Sequence, residues 1–187
     1  MKKKSFLLLA FILTMTVLYG CGSKISNDII SISKYKGLDV ERPENEDITE
    51  DVSGFEDNVW KALLTQCAVK EYPQEERNAL MEELETQYSY AAYYSERTAS
   101  ELIEDIHGMT KEELAKELLK KKYAVELIAE EEDLVLTQEQ YQEKLAESAA
   151  ANGMEDPAEY ENLFGYEELS ARFLEERVLD FLIEHLK

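Results

Sequence analysis

The side chains able to do chemistry in this sequence are two cysteines, two histidines and 41 carboxylates among 187 residues. Cys21 stands out because of what precedes it. Lys2, Lys3 and Lys4 lead an apolar run from Phe6 to Leu18, broken only by Thr14 and Thr16, and Gly20 stands directly before the cysteine. The run is shorter than the roughly 20 residues that a spanning helix needs. A basic start, a short apolar core and a small residue at the end predict an export signal over residues 1–20, removed from the mature chain.

Leu18-Tyr19-Gly20-Cys21 resembles a bacterial lipoprotein signal, with an apolar residue three before the cysteine and a small residue one before it. Tyr19 departs from the pattern, since a smaller residue is more usual there. The resemblance implies a diacylglyceryl group on Cys21, with palmitate-type chains, and so lipid attachment at Cys21 on the extracytoplasmic face of the cell membrane. Each buried methylene contributes about 0.8 kcal/mol, so two acyl chains hold a domain where one is marginal.

The remaining candidates point to structure rather than catalysis. With Cys21 acylated, Cys67 has no partner for an intrachain disulfide. It falls between Leu64 and Val69 on what reads as a helical apolar face, where a small buried thiol is expected. His107 and His185 lack a His-x-x-x-His spacing and suit helix C-termini, whose dipole favours a cation. Runs such as Glu82-Glu83 and Glu130-Glu131-Glu132 follow from the abundance of acids. Glu130 to Asp133 lacks the glycine turn of a calcium loop. No catalytic residue, metal site or cofactor is expected.

The formal charge is −21, and residues 1–20 hold three lysines and no acid, so the chain from Cys21 onward carries −24. Such a charge excludes nucleic acid as a partner. It also opposes attraction to anionic lipid head groups and would keep a tethered domain off the membrane surface.

One aromatic cluster is informative. Tyr88-Ser-Tyr90-Ala-Ala-Tyr93-Tyr94 places four of the eleven tyrosines within seven residues of a helical stretch. At 100° per residue Tyr90 and Tyr94 share a face, and the four cannot all point to one core. They fit either an inter-helix junction or a surface that contacts other chains, because tyrosine joins large apolar area to a polar tip.

The elements that must position these groups are mostly helical. Residues 21–34 are Ser-rich and read as a flexible tether, residues 35–40 as a short extended strand, and residues 35–187 as one domain. From Phe55 the apolar period is that of a helix, which Tyr72-Pro73 ends. A long second helix reaches about Thr98 with Leu80, Met81, Leu84 and Tyr88 along one side. Ser100 caps a short helix ending at Gly108. Capping boxes at Thr110-Lys-Glu-Glu and Thr137-Gln-Glu-Gln open two more, and Asp156-Pro157 opens another. A final helix runs from about Tyr166 to Leu186. This predicts a mainly α protein of six or seven helices with a short N-terminal extended segment.

Several stretches together resemble a known family. Residues 35–40 resemble the short strand before the isomerase domain of trigger-factor-like proteins. Val59-Trp60-Lys-Ala-Leu-Leu through Val69-Lys-Glu-Tyr-Pro73 is similar to the start of the trigger factor C-terminal domain. Gly108-Met-Thr-Lys-Glu-Glu-Leu, Leu136-Thr-Gln-Glu-Gln-Tyr141 and Val178-Leu-Asp-Phe-Leu match its later helices. The resemblance implies a helical body with arms, related to the SurA-like chaperones, that cradles unfolded or secreted polypeptide clients. It implies Tyr88, Tyr90, Tyr93 and Tyr94 as candidate polypeptide-contacting residues. Residues 41–54 are too short to hold the family's prolyl isomerase domain, and the ribosome-binding domain is absent, so neither isomerase activity nor a ribosome partner is expected to carry over. The alternative is an adaptor lipoprotein with one folded partner; an isomerase would be one by family name alone.

Overall fold

The computed structural model describes residues 24–43 and 49–187, so Cys21 and residues 1–20 lie outside the described residues. Helices dominate. In chain order, β1 (Ile25–Ser26) and β2 (Ile30–Ile32) form a hairpin, α1 (Thr49–Thr65) follows, and β3 (Cys67–Val69) completes a small sheet. Then come α2 (Gln74–Tyr94), α3 (Ala99–His107), α4 (Lys111–Glu131), α5 (Gln138–Ala151), α6 (Pro157–Phe164) and α7 (Tyr166–Glu184). Seven helices among the described residues agree with the mainly α expectation.

The N-terminal part departs from the sequence reading. The stretch expected to be a tether is, from Lys24 onward, part of the folded body. β2 pairs antiparallel with β1, Ile25 opposite Ile32, and with β3, Ile30 opposite Val69 and Ile32 opposite Cys67. Ile25, Ile30 and Ile32 are buried while Ser26 is exposed. The serines are the outward side of an alternating pattern, which composition alone made look like linker. The hairpin turn is held by Asn27, whose Oδ1 accepts from the amides of Ile29 and Ile30 at 2.9 and 2.8 Å. Residues 35–40 are no strand; they form an irregular strap that buries Tyr35 and Leu38.

Cys67 is likewise not on a helix. α1 stops at Thr65, and Cys67 to Val69 switch from a period of 3.6 to 2 because β2 offers its free edge there. The thiol is buried, donates to the Leu63 carbonyl oxygen at 3.3 Å, and is pushed up to about 11 by burial.

Further along, local chemistry explains most boundaries. α2 ends at Tyr94, earlier than expected, and Thr98 rather than Ser100 caps α3, because Thr98 and Glu101 form a reciprocal capping box. Thr110 with Glu113 and Thr137 with Gln140 form the two expected boxes, and Asp156 caps α6 ahead of Pro157. Gly165, at φ 88° and ψ 146°, turns α6 into α7 through a conformation that side-chain-bearing residues rarely adopt.

Three apolar clusters divide the molecule. The body core joins the sheet with Val59 and Leu63 of α1, Leu119 to Ala129 of α4, and Val178 and Leu182 of α7. A first arm packs α2 and α3 on the beginning of α4, through Leu84, Ile103, Leu114 and Ala115. A second packs α5 and α6 on the beginning of α7, through Tyr141, Leu145, Ala149, Tyr160, Leu169 and Phe173. Burying a large apolar side chain contributes about 1.5–3 kcal/mol, while ordering each residue costs about 1–2 kcal/mol of backbone entropy. Four buried side chains cannot order the first arm's thirty residues of helix alone. That arm depends on α4, which the body core already holds. Ion pairs add a smaller contribution across α2 and α4, Glu76 with Lys122 at 2.9 Å and Glu85 with Lys111 at 2.6 Å, both partly solvent-exposed.

The strap closes the body by tying the two chain regions together. Tyr35 donates to Glu132 at the end of α4, and Lys36 pairs with the same carboxylate at 2.7 Å. Burial works against the Glu132 charge, yet hydrogen bonds from Lys36 and Tyr35 hold its carboxyl below the ordinary value. The Gly37 amide donates to the His185 carbonyl oxygen at 2.6 Å, and Arg42 donates to that of Ile183 at 2.6 Å.

Two outcomes are expected from this arrangement. In amide hydrogen exchange, the second half of α2 should exchange at least tenfold faster than residues 123–129 of α4, as roughly 1.4 kcal/mol of difference in local opening requires. Equal protection would place α2 in the body's cooperative unit. Cys67 should resist thiol reagents until the chain is unfolded in urea. A thiol whose folded pKa is raised loses its contribution to stability as pH climbs from about 9 towards 11. Urea titrations over that range should show a shallower alkaline decline for Cys67→Ala than for the unaltered chain.

Candidate functional site

The exposed apolar surface falls on the arms. On the first arm, α2 buries Leu84 and Ala92, so the residues around them on other faces are left to solvent. Tyr90, Tyr93 and Tyr94 are 73, 78 and 68% exposed. Their rings nonetheless touch one another. Tyr90 and Tyr94, one helical turn apart, have centroids 4.8 Å apart, and Tyr93 and Tyr94 5.4 Å apart, both edge-on. Interaction with Tyr94 pushes the Tyr90 phenol up from its ordinary value. The three rings form one continuous aromatic patch.

Tyr88 separates from this group. It is half-buried, its hydroxyl lies 2.6 Å from His107 Nε2, and the two rings meet edge to face at 5.8 Å. Tyr88 and His107 therefore knit α2 to the end of α3. Of the four tyrosines singled out by spacing, Tyr88 is at the inter-helix junction, and Tyr90, Tyr93 and Tyr94 are on the surface.

The second arm carries a surface that spacing did not reveal. Where α4 passes into α5, Val135, Leu136 and Thr137 meet Tyr141 of α5 and Tyr166, Ser170 and Leu174 of α7 around a cavity of about 150 Å³. Tyr141 forms its floor. It is buried, its ring meets those of Tyr166 and Phe173 at a tilt with centroids 4.8 and 5.7 Å away, and it donates to Glu161 at 2.7 Å. Burial, followed by that hydrogen bond, raises its pKa. Ser170 Oγ is buried beside the cavity without a partner. Of the lining, Val135 and Tyr166 are 62 and 53% exposed, and Leu163 near the end of α6 is 64% exposed. The signal that points to the apolar surface here is Leu163-Phe164-Gly165-Tyr166, apolar residues on both sides of the glycine where one helix passes into the next and polar residues are the rule.

Chemically, both surfaces offer aromatic faces, aliphatic side chains and hydroxyls. His185 caps the end of α7, its Nδ1 2.8 Å from the Phe181 carbonyl oxygen, far along that helix from the cavity. Among the described residues, no group of three or more histidines, cysteines and carboxylates is placed to hold a metal ion. No described helix is long and apolar enough to cross a membrane. Cys21, the expected lipid attachment residue, lies outside the described residues.

The chain has no match among the curated proteins. The family model for the C-terminus of bacterial trigger factor protein matches residues 55–184, the span from the start of the body's first helical apolar face to the last residue of α7. That match covers well over half of the chain and takes in the body helices and both arms. The protein belongs to the trigger factor C-terminus family.

Proposed function

We propose that this protein is a lipid-anchored chaperone that holds unfolded or newly exported polypeptides at the extracytoplasmic face of the cell membrane, without catalysis. Family membership brings a chaperone-like, polypeptide-binding role. The observation that carries the reading is the aromatic patch of Tyr90, Tyr93 and Tyr94, three touching rings left in solvent on an arm. Exposed apolar patches of this kind mark sites that contact other chains. The cavity and rim of the second arm supply a further apolar contact. A carrier whose chain from Cys21 onward has a net charge of −24 stays soluble while exposing such surfaces, and it adds some preference for basic segments.

The anchoring half of the proposal rests on Lys2 to Cys21 and on the resemblance of Leu18 to Cys21 to a lipoprotein signal. Prolyl isomerisation is no part of it, and neither is a ribosome.

Two outcomes follow. The purified chain without residues 1–21 should suppress aggregation of a chemically unfolded client at several-fold molar excess. Replacing Tyr90, Tyr93 and Tyr94 together by Ser should raise the excess needed by about tenfold, corresponding to roughly 1.4 kcal/mol of lost apolar contact. No suppression by the unaltered chain would overturn the chaperone reading, and one stoichiometric crosslinked partner in cells would favour an adaptor. Separately, Cys21→Ser should move the protein from the membrane to the soluble fraction and remove the label incorporated from radioactive palmitate. Retention at the membrane with no label in either form would overturn the anchor.

A further inference from the structure

A one-electron oxidant finds few accessible aromatic side chains on this chain. Trp60 and Cys67 are buried in the body core. Among the described tyrosines, Tyr35, Tyr123, Tyr141 and Tyr160 are buried, and Tyr72 and Tyr88 are half-buried. Tyr90, Tyr93 and Tyr94 on α2 and Tyr166 on α7 remain in solvent. The tyrosine ring that Tyr166 meets is that of buried Tyr141. Among the described residues, two exposed phenol rings therefore touch only at the end of α2.

The geometry there suits a bond between rings. Tyr90 and Tyr94 are one helical turn apart and lean the same way, with centroids 4.8 Å apart and planes at 62°. A side-chain hydrogen bond between them brings their hydroxyls together. Phenoxyl radicals couple through the ring carbons next to the oxygen, so neighbouring hydroxyls put the reacting carbons close. Tyr93 is less well placed, because it leaves the helix about 100° from Tyr94. Their rings are close to perpendicular, at 87°. α2 ends at Tyr94, and a last helical turn opens at little cost, so the rings of Tyr90 and Tyr94 can swing into line.

We propose that Tyr90 and Tyr94 are a site of oxidative cross-linking, joined as o,o′-dityrosine by a haem peroxidase using hydrogen peroxide. Each phenol gives up an electron and its hydroxyl proton, and the two radicals form a carbon–carbon bond. The hydrogen on each joined carbon then moves to the oxygen and restores the hydroxyl. Two electrons and two protons leave in all, and they turn one hydrogen peroxide into two waters. The bond staples the last turn of α2 and fuses two of the three rings of the exposed patch. Weaker client holding by the stapled form rests on the chaperone reading; the cross-link itself does not.

The test uses the chain from residue 21 onward with Cys21→Ser, which removes a competing thiol. It is treated with peroxidase and one equivalent of hydrogen peroxide, and the monomer is digested with trypsin. The fragment of residues 78–97, bounded by Arg77 and Arg97, should appear lighter by two hydrogens, with no fragment ions from breaks between positions 90 and 94. Tyr94→Phe should lower the yield of dityrosine within the chain about tenfold, since both exposed contacts run through Tyr94. Tyr166→Phe should leave that yield unchanged. An equal yield from Tyr94→Phe, or dityrosine formed chiefly between chains, would overturn the site. So would a fragment that gains oxygen at Met81 and loses no hydrogen. If the stapled chain suppresses client aggregation as well as the unoxidised one, the patch is not the client contact, while the cross-link stands.

Discussion

Ile128 of α4 and Val178 and Leu182 of α7 are fully buried in one apolar core, together with the sheet and α1. Both helices begin in an arm and end in this core. α4 carries Leu114 and Ala115 into the first arm, and α7 carries Leu169 and Phe173 into the second. The arms' own clusters are small, so their helices are ordered by being laid on a helix that the body has already fixed. The strap of residues 35–43 protects that arrangement by holding the ends of α4 and α7 through Glu132, Ile183 and His185.

This division of labour suits a polypeptide-binding protein. The body concentrates apolar burial, which leaves the arms free to expose theirs. Tyr90, Tyr93 and Tyr94 on one arm and Leu163, Tyr166 and the cavity over Tyr141 on the other are separate apolar surfaces on lightly packed elements. Such elements open at lower free energy than a core does, and a client of variable shape needs surfaces that can adjust. The acidic surface then serves to keep exposed aromatics from causing self-association.

Much of the helical framework was legible because its signals are local. Thr110 with Glu113, Thr137 with Gln140, Asp156 with Pro157, and Gly108 each set a boundary through bonds made within a few residues. Thr98 and Glu101 carry the same signal, and Ser100, the expected cap, lies inside α3. The sheet was not legible, since its strands are two or three residues long and Cys67 to Val69 become extended through pairing with residues almost forty positions earlier. The same non-local pairing turns the serines of the expected tether into the outer face of a strand. In the tyrosine cluster, spacing showed that the rings diverge, but which one is buried depended on His107 of the next helix. The second arm's cavity combines residues from 135 to 174, a juxtaposition that no short window contains.

The central claim is that clients bind through the arms and not through the body, and ring-labelled tyrosine resonances report on both at once. With an unfolded client added to the protein, the signals of Tyr90, Tyr93, Tyr94 and Tyr166 should shift or broaden in proportion to occupancy, while those of buried Tyr35 and Tyr123 stay unchanged. Shifts at Tyr35 and Tyr123 with the arm tyrosines unmoved would contradict the account.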